Sequence, residues 1–172
     1  RFDDIFETAG WDVLTLKYGA RQRAAFKKPG GGQLRKWIDD CPNDLYAALT
    51  YQGGEAWRRR LNKDLSKSPK SLELIESYDD ETLSNLMTEL GGHCLVTLLE
   101  AFERAASSET PKLIIAYTTK GRRLPFQGHK DNHSGLMTPT QMREFREKLD
   151  IVEGEEWDKF SGLSEARAMA AQ

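Results

Sequence analysis

The stretch Cys94–Thr119, CLVTLLEAFERAASSETPKLIIAYTT, decides the fold. Leu95, Leu98, Leu99 and Phe102 recur at helical spacing, which predicts an amphipathic helix with one apolar stripe. Pro111 then marks the entry to Lys112–Thr118, an almost wholly apolar run that reads as a buried strand. A helix feeding such a strand is the crossover pattern of an α/β protein, so the sheet is expected to be parallel and flanked by helices.

Downstream, the strand empties into Thr118–Thr138, TTKGRRLPFQGHKDNHSGLMT, with two of the chain's three histidines, Gly121, Gly128, Gly135, Pro125 and four basic side chains. In open α/β folds ligands bind outside the carboxyl ends of the strands, which makes this loop the main functional clue. Lys120, Arg122, Arg123, His129 and Lys130 form a local basic cluster among glycines, able to hold a diphosphate or carboxylate through charge and backbone N–H groups. An ordinary solvated loop is the competing reading, and the position at a strand end favours the functional one. His133 is the proton-transfer candidate, because an imidazole exchanges a proton near neutrality.

Upstream, FDDIFETAG predicts a helix with Phe2, Ile5 and Phe6 on one face, stopped at Gly10, and Trp11–Tyr18 predicts a strand. ARQRAAFKK reads as a short helix ended by PGGG, and QLRKWIDDCP as another ended before Pro42. Between Asn43 and Ser77 the pattern suggests two short helices across Gly53-Gly54, with SKSPKS as an exposed loop. DDETLSNLMTEL predicts a helix with an Asp cap and Leu83, Leu86, Met87 and Leu90 inward. After the loop, TPTQMREFREKLD predicts a helix capped by Thr138 or Thr140, and residues 151–172 a polar helical tail beyond a domain of residues 1–150. Two strands alone do not sustain a parallel sheet, so the sheet is expected to be incomplete in this chain. The absence of an initiator Met and the opening within an amphipathic pattern likewise predict a piece of something longer.

The formal charge of -2 supplies no global field for nucleic acid or an anionic membrane, so WRRR at Trp57–Arg60 reads as a surface helix. Cys41 and Cys94 form no disulfide framework, and no run approaches the ~20 apolar residues of a membrane span; a reducing cytoplasm is the expected setting. His129 and His133 have the i, i+4 spacing of helical metal ligands, but the surrounding glycines and Pro125 disfavour an α-helix. A four-ligand zinc site with His93 and Cys94 lacks paired ligand spacing and is set aside. LGGHC, Leu90–Cys94, reads as a turn between helices in which His93 caps or packs.

The order AGWDVLTLKYG, GGH before a helix, LIIAYTTKG and GHKDNHSGLMT resembles the homodimeric pyruvate dehydrogenase E1 components, among the transketolase-like thiamine diphosphate enzymes. The resemblance runs from about Ile5 to Leu149, is strongest from Pro111 to Met142, and is most specific at TTKG and the Gly128-to-His133 spacing. It implies a diphosphate-binding domain lacking the GDG-to-NN segment that carries the magnesium ligands in relatives, so no metal ligand is assigned and no tight cofactor binding is expected of this chain alone. It implies cofactor contacts from Lys120, Gly121, Gly128 and His133, with His133 catalytic on a mobile loop over the site. His129, Lys130, Asp131 and Asn132 become the substrate-side part of that loop. The full-length enzyme would use thiamine diphosphate and Mg2+ to decarboxylate pyruvate or a related 2-oxo acid, pass the acetyl unit to the lipoyl group of an acyltransferase partner, E2, and act as a homodimer. A transketolase moving a two-carbon ketol unit is the nearest alternative, although transketolases usually carry an aliphatic residue at the place of Lys120; a catalytically silent binding module is the other. Cys94, where relatives usually carry Asp, and GRRLP after Lys120, where an aromatic and a glycine are usual, depart from the pattern.

Overall fold

Strands β1 (Asp12–Leu16) and β2 (Lys112–Ala116) pair in parallel, in register from Asp12 opposite Lys112 to Leu16 opposite Ala116. The computed structural model describes residues 2–164. Within them the fold is α/β, a two-stranded parallel sheet with helices. Helix α1 (Phe2–Thr8) precedes β1. Between the strands run α2 (Ala20–Phe26), α3 (Gly31–Asp40), α4 (Asn43–Gln52), α5 (Gly54–Asp64), α6 (Pro69–Glu76), α7 (Asp80–Thr88) and α8 (Leu95–Ala106). Helix α9 (Pro139–Lys148) follows the loop.

Local chemistry sets these ends. The Asp79 carboxylate accepts the Thr82 N–H at 2.6 Å and starts α7, satisfying a donor that the helix itself cannot pair. For α9, Thr138 is the cap: its hydroxyl accepts from Gln141 N while the Gln141 side chain accepts from Thr138 N, a reciprocal capping box.

Most of the core lies among the intervening helices, where Leu34, Ile38, Trp57, Leu61, Ile75, Leu83 and Met87 pack together. A smaller cluster joins the sheet to α8 through Leu14, Leu16 and Ala101, with Leu98 and Ile114 against it. No helix among the described residues is long and apolar enough to cross a membrane.

Several expectations need correction. The α8 stripe does not form a core: Leu95 is 75% exposed, Leu99 60% and Phe102 59%, while Thr97 and Ala101 face inward. Two strands only ~4.8 Å apart are narrower than a helix ~10 Å across, so the sheet covers one edge of α8 and leaves the rest bare. For the same reason β2 is half-buried rather than buried, and Ala116 is exposed. The apolar face of α1 is also largely uncovered, its aromatic contacts being Phe2 with Phe6 and Phe6 with Trp11. SKSPKS is not simply a loop, because Pro69 occupies the first turn of α6. A proline costs nothing at a position whose N–H would go unpaired. Ser71 there is fully buried, its hydroxyl donating to Gly30 O at 2.9 Å. Leu90 lies beyond α7 and bridges Tyr18 in antiparallel fashion. Residues 151–164 form turns rather than a helix, and residues 165–172 of the expected tail lie outside the described residues.

Candidate functional site

Lys17 directly follows β1, and Tyr117 to Lys120 directly follow β2, so the parallel pairing brings both carboxyl ends to one rim. The loop after β2 folds back from that rim towards α3 and α4. A cleft of about 710 Å³ opens between them.

A run of tight turns shapes the loop. Gly121 O accepts from Leu124 N at 2.9 Å, Leu124 O from Gln127 N at 3.0 Å, and Phe126 O from His129 N at 2.9 Å. One turn of 3₁₀ helix, Lys130–His133, follows. Gly128 seats the loop on α4: its φ is +76°, and a Cβ there would lie 2.4 Å from Ala47 O. The His129 ring rests on Tyr51, with centroids 4.6 Å apart. Asn132 Nδ2 donates to Lys120 O at 2.6 Å and closes the loop on its own start.

Six of the expected residues line the cleft together: Lys120, Gly128, His129, Lys130, Asn132 and His133. Gly121 and Asp131 do not line it. Gly121 instead lets the chain pass the Asn132 amide, which a Cβ would meet at 2.7 Å. Asp131 is exposed and donates its backbone N–H to His129 Nδ1 at 3.1 Å. Lys120 Nζ and His133 Nδ1 are 2.6 Å apart.

The opposite wall contains Lys17 and Asp39, which sequence reading did not single out. The Asp39 carboxylate accepts from both Lys17 Nζ and the Tyr18 hydroxyl. Burial works against both charges of the ion pair, but the bond between them prevails, raising the Lys17 pKa and lowering that of Asp39. Lys17 at a strand end was a visible signal; its partner on α3 was not.

His93 packs half-buried rather than capping a helix. It ends a turn of 3₁₀ helix, Gly91–His93, and its Nε2 accepts the Thr119 N–H at 2.6 Å, while Arg122 Nη1 donates to its carbonyl at 2.9 Å. LGGHC thus fastens the exit of β2. Burial and then the Arg122 charge lower the His93 pKa from its ordinary value of 6.5. Cys94 is buried at the start of α8, its sulfur 3.3 Å from the Ala20 N–H it accepts. Among the described residues no group of three or more His, Cys, Asp or Glu is placed to hold a metal ion.

The direction of the His93 shift gives a prediction. Its lowered folded pKa means that the unfolded chain takes up the proton first as pH falls, so its contribution is intact above 6.5 and is lost below it. Denaturant titrations from pH 7.5 to 5.5 should show the parent losing stability relative to His93→Gln, which keeps an acceptor for Thr119 but does not titrate. Parallel pH profiles would refute this.

No family model matches the chain. It is 28% identical over 120 residues to the pyruvate dehydrogenase E1 component of Buchnera aphidicola subsp. Schizaphis graminum, covering 69% of this chain and 13% of that protein. The corresponding protein of Escherichia coli K12 is 27% identical over 120 residues, again 13% of its length. That of Haemophilus influenzae is 23% identical over 167 residues, 92% of this chain and 18% of its own length. The cleft-lining loop and the strands that aim it thus belong to a chain that is similar, over most of its length, to one segment of pyruvate dehydrogenase E1 components, spanning 13–18% of the relatives it matches.

Proposed function

We propose that this chain is part of the transketolase-like diphosphate-binding domain of a thiamine diphosphate-dependent pyruvate dehydrogenase E1, with residues 1–150 in the domain and 151–172 as its tail. The observation that carries the reading is the cleft itself. Lys120, His129, Lys130, Asn132 and His133 converge at the carboxyl ends of two parallel strands, in a chain similar to E1 components.

The donor set suits an anion. Ammonium, imidazole N–H and amide groups fit the oxygens of a diphosphate or of a 2-oxo acid carboxylate. It does not suit magnesium, since Asp39, the one acidic side chain lining the cleft among the described residues, is committed to Lys17 and Tyr18. The metal is therefore assigned to other parts of the full-length enzyme, and this chain alone is not expected to bind the cofactor tightly. When bound, thiamine diphosphate supplies the electron sink for decarboxylation. The chain's own residues bind and orient: Lys120 and Lys130 hold negative charge, and His133 offers a proton-carrying nitrogen to the ligand. In this reading the full-length protein is a cytoplasmic homodimer that decarboxylates pyruvate or a related 2-oxo acid and acetylates the lipoyl group of its E2 partner.

The test is kinetic, in the full-length enzyme. One general acid or base contributes about 10²- to 10⁴-fold, so His133→Ala should lower turnover at least ~10-fold with little change in stability. His129→Ala should cost less, since the Gly128-to-His133 spacing shared with the E1 components singles out His133 and not His129. Parent-like activity in His133→Ala, or the larger loss in His129→Ala, would overturn the assignment.

A further inference from the structure

The partner of His133 fixes which of its nitrogens carries a proton. His133 Nδ1 lies 2.6 Å from Lys120 Nζ. An ammonium has three donors and no acceptor, so a hydrogen bond between them requires an unprotonated Nδ1. The proton of the neutral ring then sits on Nε2.

His129 reaches the same state by another route. Its Nδ1 accepts the backbone N–H of Asp131 at 3.1 Å, and an amide N–H cannot reverse its role. The Asp131 carboxylate, at 3.6 Å from the same nitrogen, is too far to replace that bond. Both histidines line the cleft, beside Lys120 and Lys130. Each therefore has an N–H, and no lone pair, left for a ligand.

We infer that Lys120 is a positioning residue that locks His133 in the Nε2–H form, making His133 a hydrogen-bond donor to the ligand rather than a base. The complementary ligand group is one that only accepts, a carboxylate or phosphate oxygen. Abstraction of a proton by His133 would first require Lys120 to let go. The lock stands on geometry alone; its consequence for a ligand rests on the cleft being the functional site.

Long-range proton–nitrogen NMR on the 172-residue chain, labelled at the histidine nitrogens and held near pH 8, reads the tautomer directly. The parent should show a pyridine-type Nδ1 and a pyrrole-type Nε2 for His133. Lys120→Met should move both nitrogens towards the averaged positions of an exchanging ring, whereas Lys120→Arg, also a pure donor, should retain the parent pattern. The His129 nitrogens should stay fixed in both variants, which separates loss of the lock from loss of the loop. If Lys120→Met also moves His129, the comparison of parent with Lys120→Arg decides: a single Nε2–H form in both supports the lock, and a mixture in either overturns it. A pyrrole-type Nδ1 in the parent, or unchanged His133 nitrogens in Lys120→Met with His129 undisturbed, would also overturn it. Because this experiment reads neither activity nor cofactor binding, it can fail while the E1 reading stands, and the reverse.

Discussion

Trp57→Ala should destabilise the chain by about 3–5 kcal/mol, a large share of the ~5–15 kcal/mol available to a typical domain. Trp57 on α5 is fully buried and meets two aromatic neighbours edge-on, Trp37 at 6.0 Å and Tyr46 at 5.0 Å between ring centroids. Removing its ring opens a cavity in the helical core and strips both contacts, each worth about 0.5–1.5 kcal/mol beyond area. Among the described residues the indole Nε1 has no hydrogen-bond partner, so Trp57→Phe surrenders part of the volume but no side-chain or backbone hydrogen bond among them. Urea titration of both variants checks the ranking. A loss below ~1 kcal/mol for Trp57→Ala would mean that the helical core does not hold the chain together as described.

The second large effect belongs to the loop. Gly128→Ala should raise the rate of proteolytic cleavage within residues 122–135 about 10-fold or more while leaving helical circular dichroism unchanged. The left-handed φ of +76° costs an alanine about 1–2 kcal/mol. The new Cβ would also press to 2.4 Å from Ala47 O, a helix backbone atom that cannot swing aside. The loop must lift, and each 1.4 kcal/mol taken from the closed state gives tenfold more open state to the protease. Gly135→Ala is the comparison: its φ is not left-handed and its Cβ would approach Asp131 O only to 3.0 Å, so a smaller change is expected. Equal cleavage of Gly128→Ala and the parent would show that the seat on α4 does not hold the loop.

How much of this was legible beforehand differs by element. The parallel pair could be read because α8 runs straight into an apolar segment, and chain order alone then constrains topology. The bareness of Leu95, Leu99 and Phe102 could not, since periodicity identifies an apolar face but not whether anything stands opposite it. Helix α6 was hidden by its composition: SKSPKS looks solvated until Pro69 is taken as a first-turn residue and Ser71 finds Gly30 O. At the site, the loop residues were visible because they are contiguous and chemically unusual. Asp39 was not, for it reaches Lys17 only after α3 has folded back across the end of β1, and nothing local distinguishes it from its neighbour Asp40.

The register of the sheet also dictates an order of events. Asp12 and Lys112 pair across about 100 residues of chain, and closing so long a loop is entropically slow unless the intervening segment has already contracted. The helices between the strands supply that contraction, many of their contacts being between neighbouring helices such as α4 with α5 and α5 with α6, so they are expected to condense first and bring the strand ends within reach. The cleft, whose rim includes those two strand ends, is then expected to assemble after the helical core and to open before it.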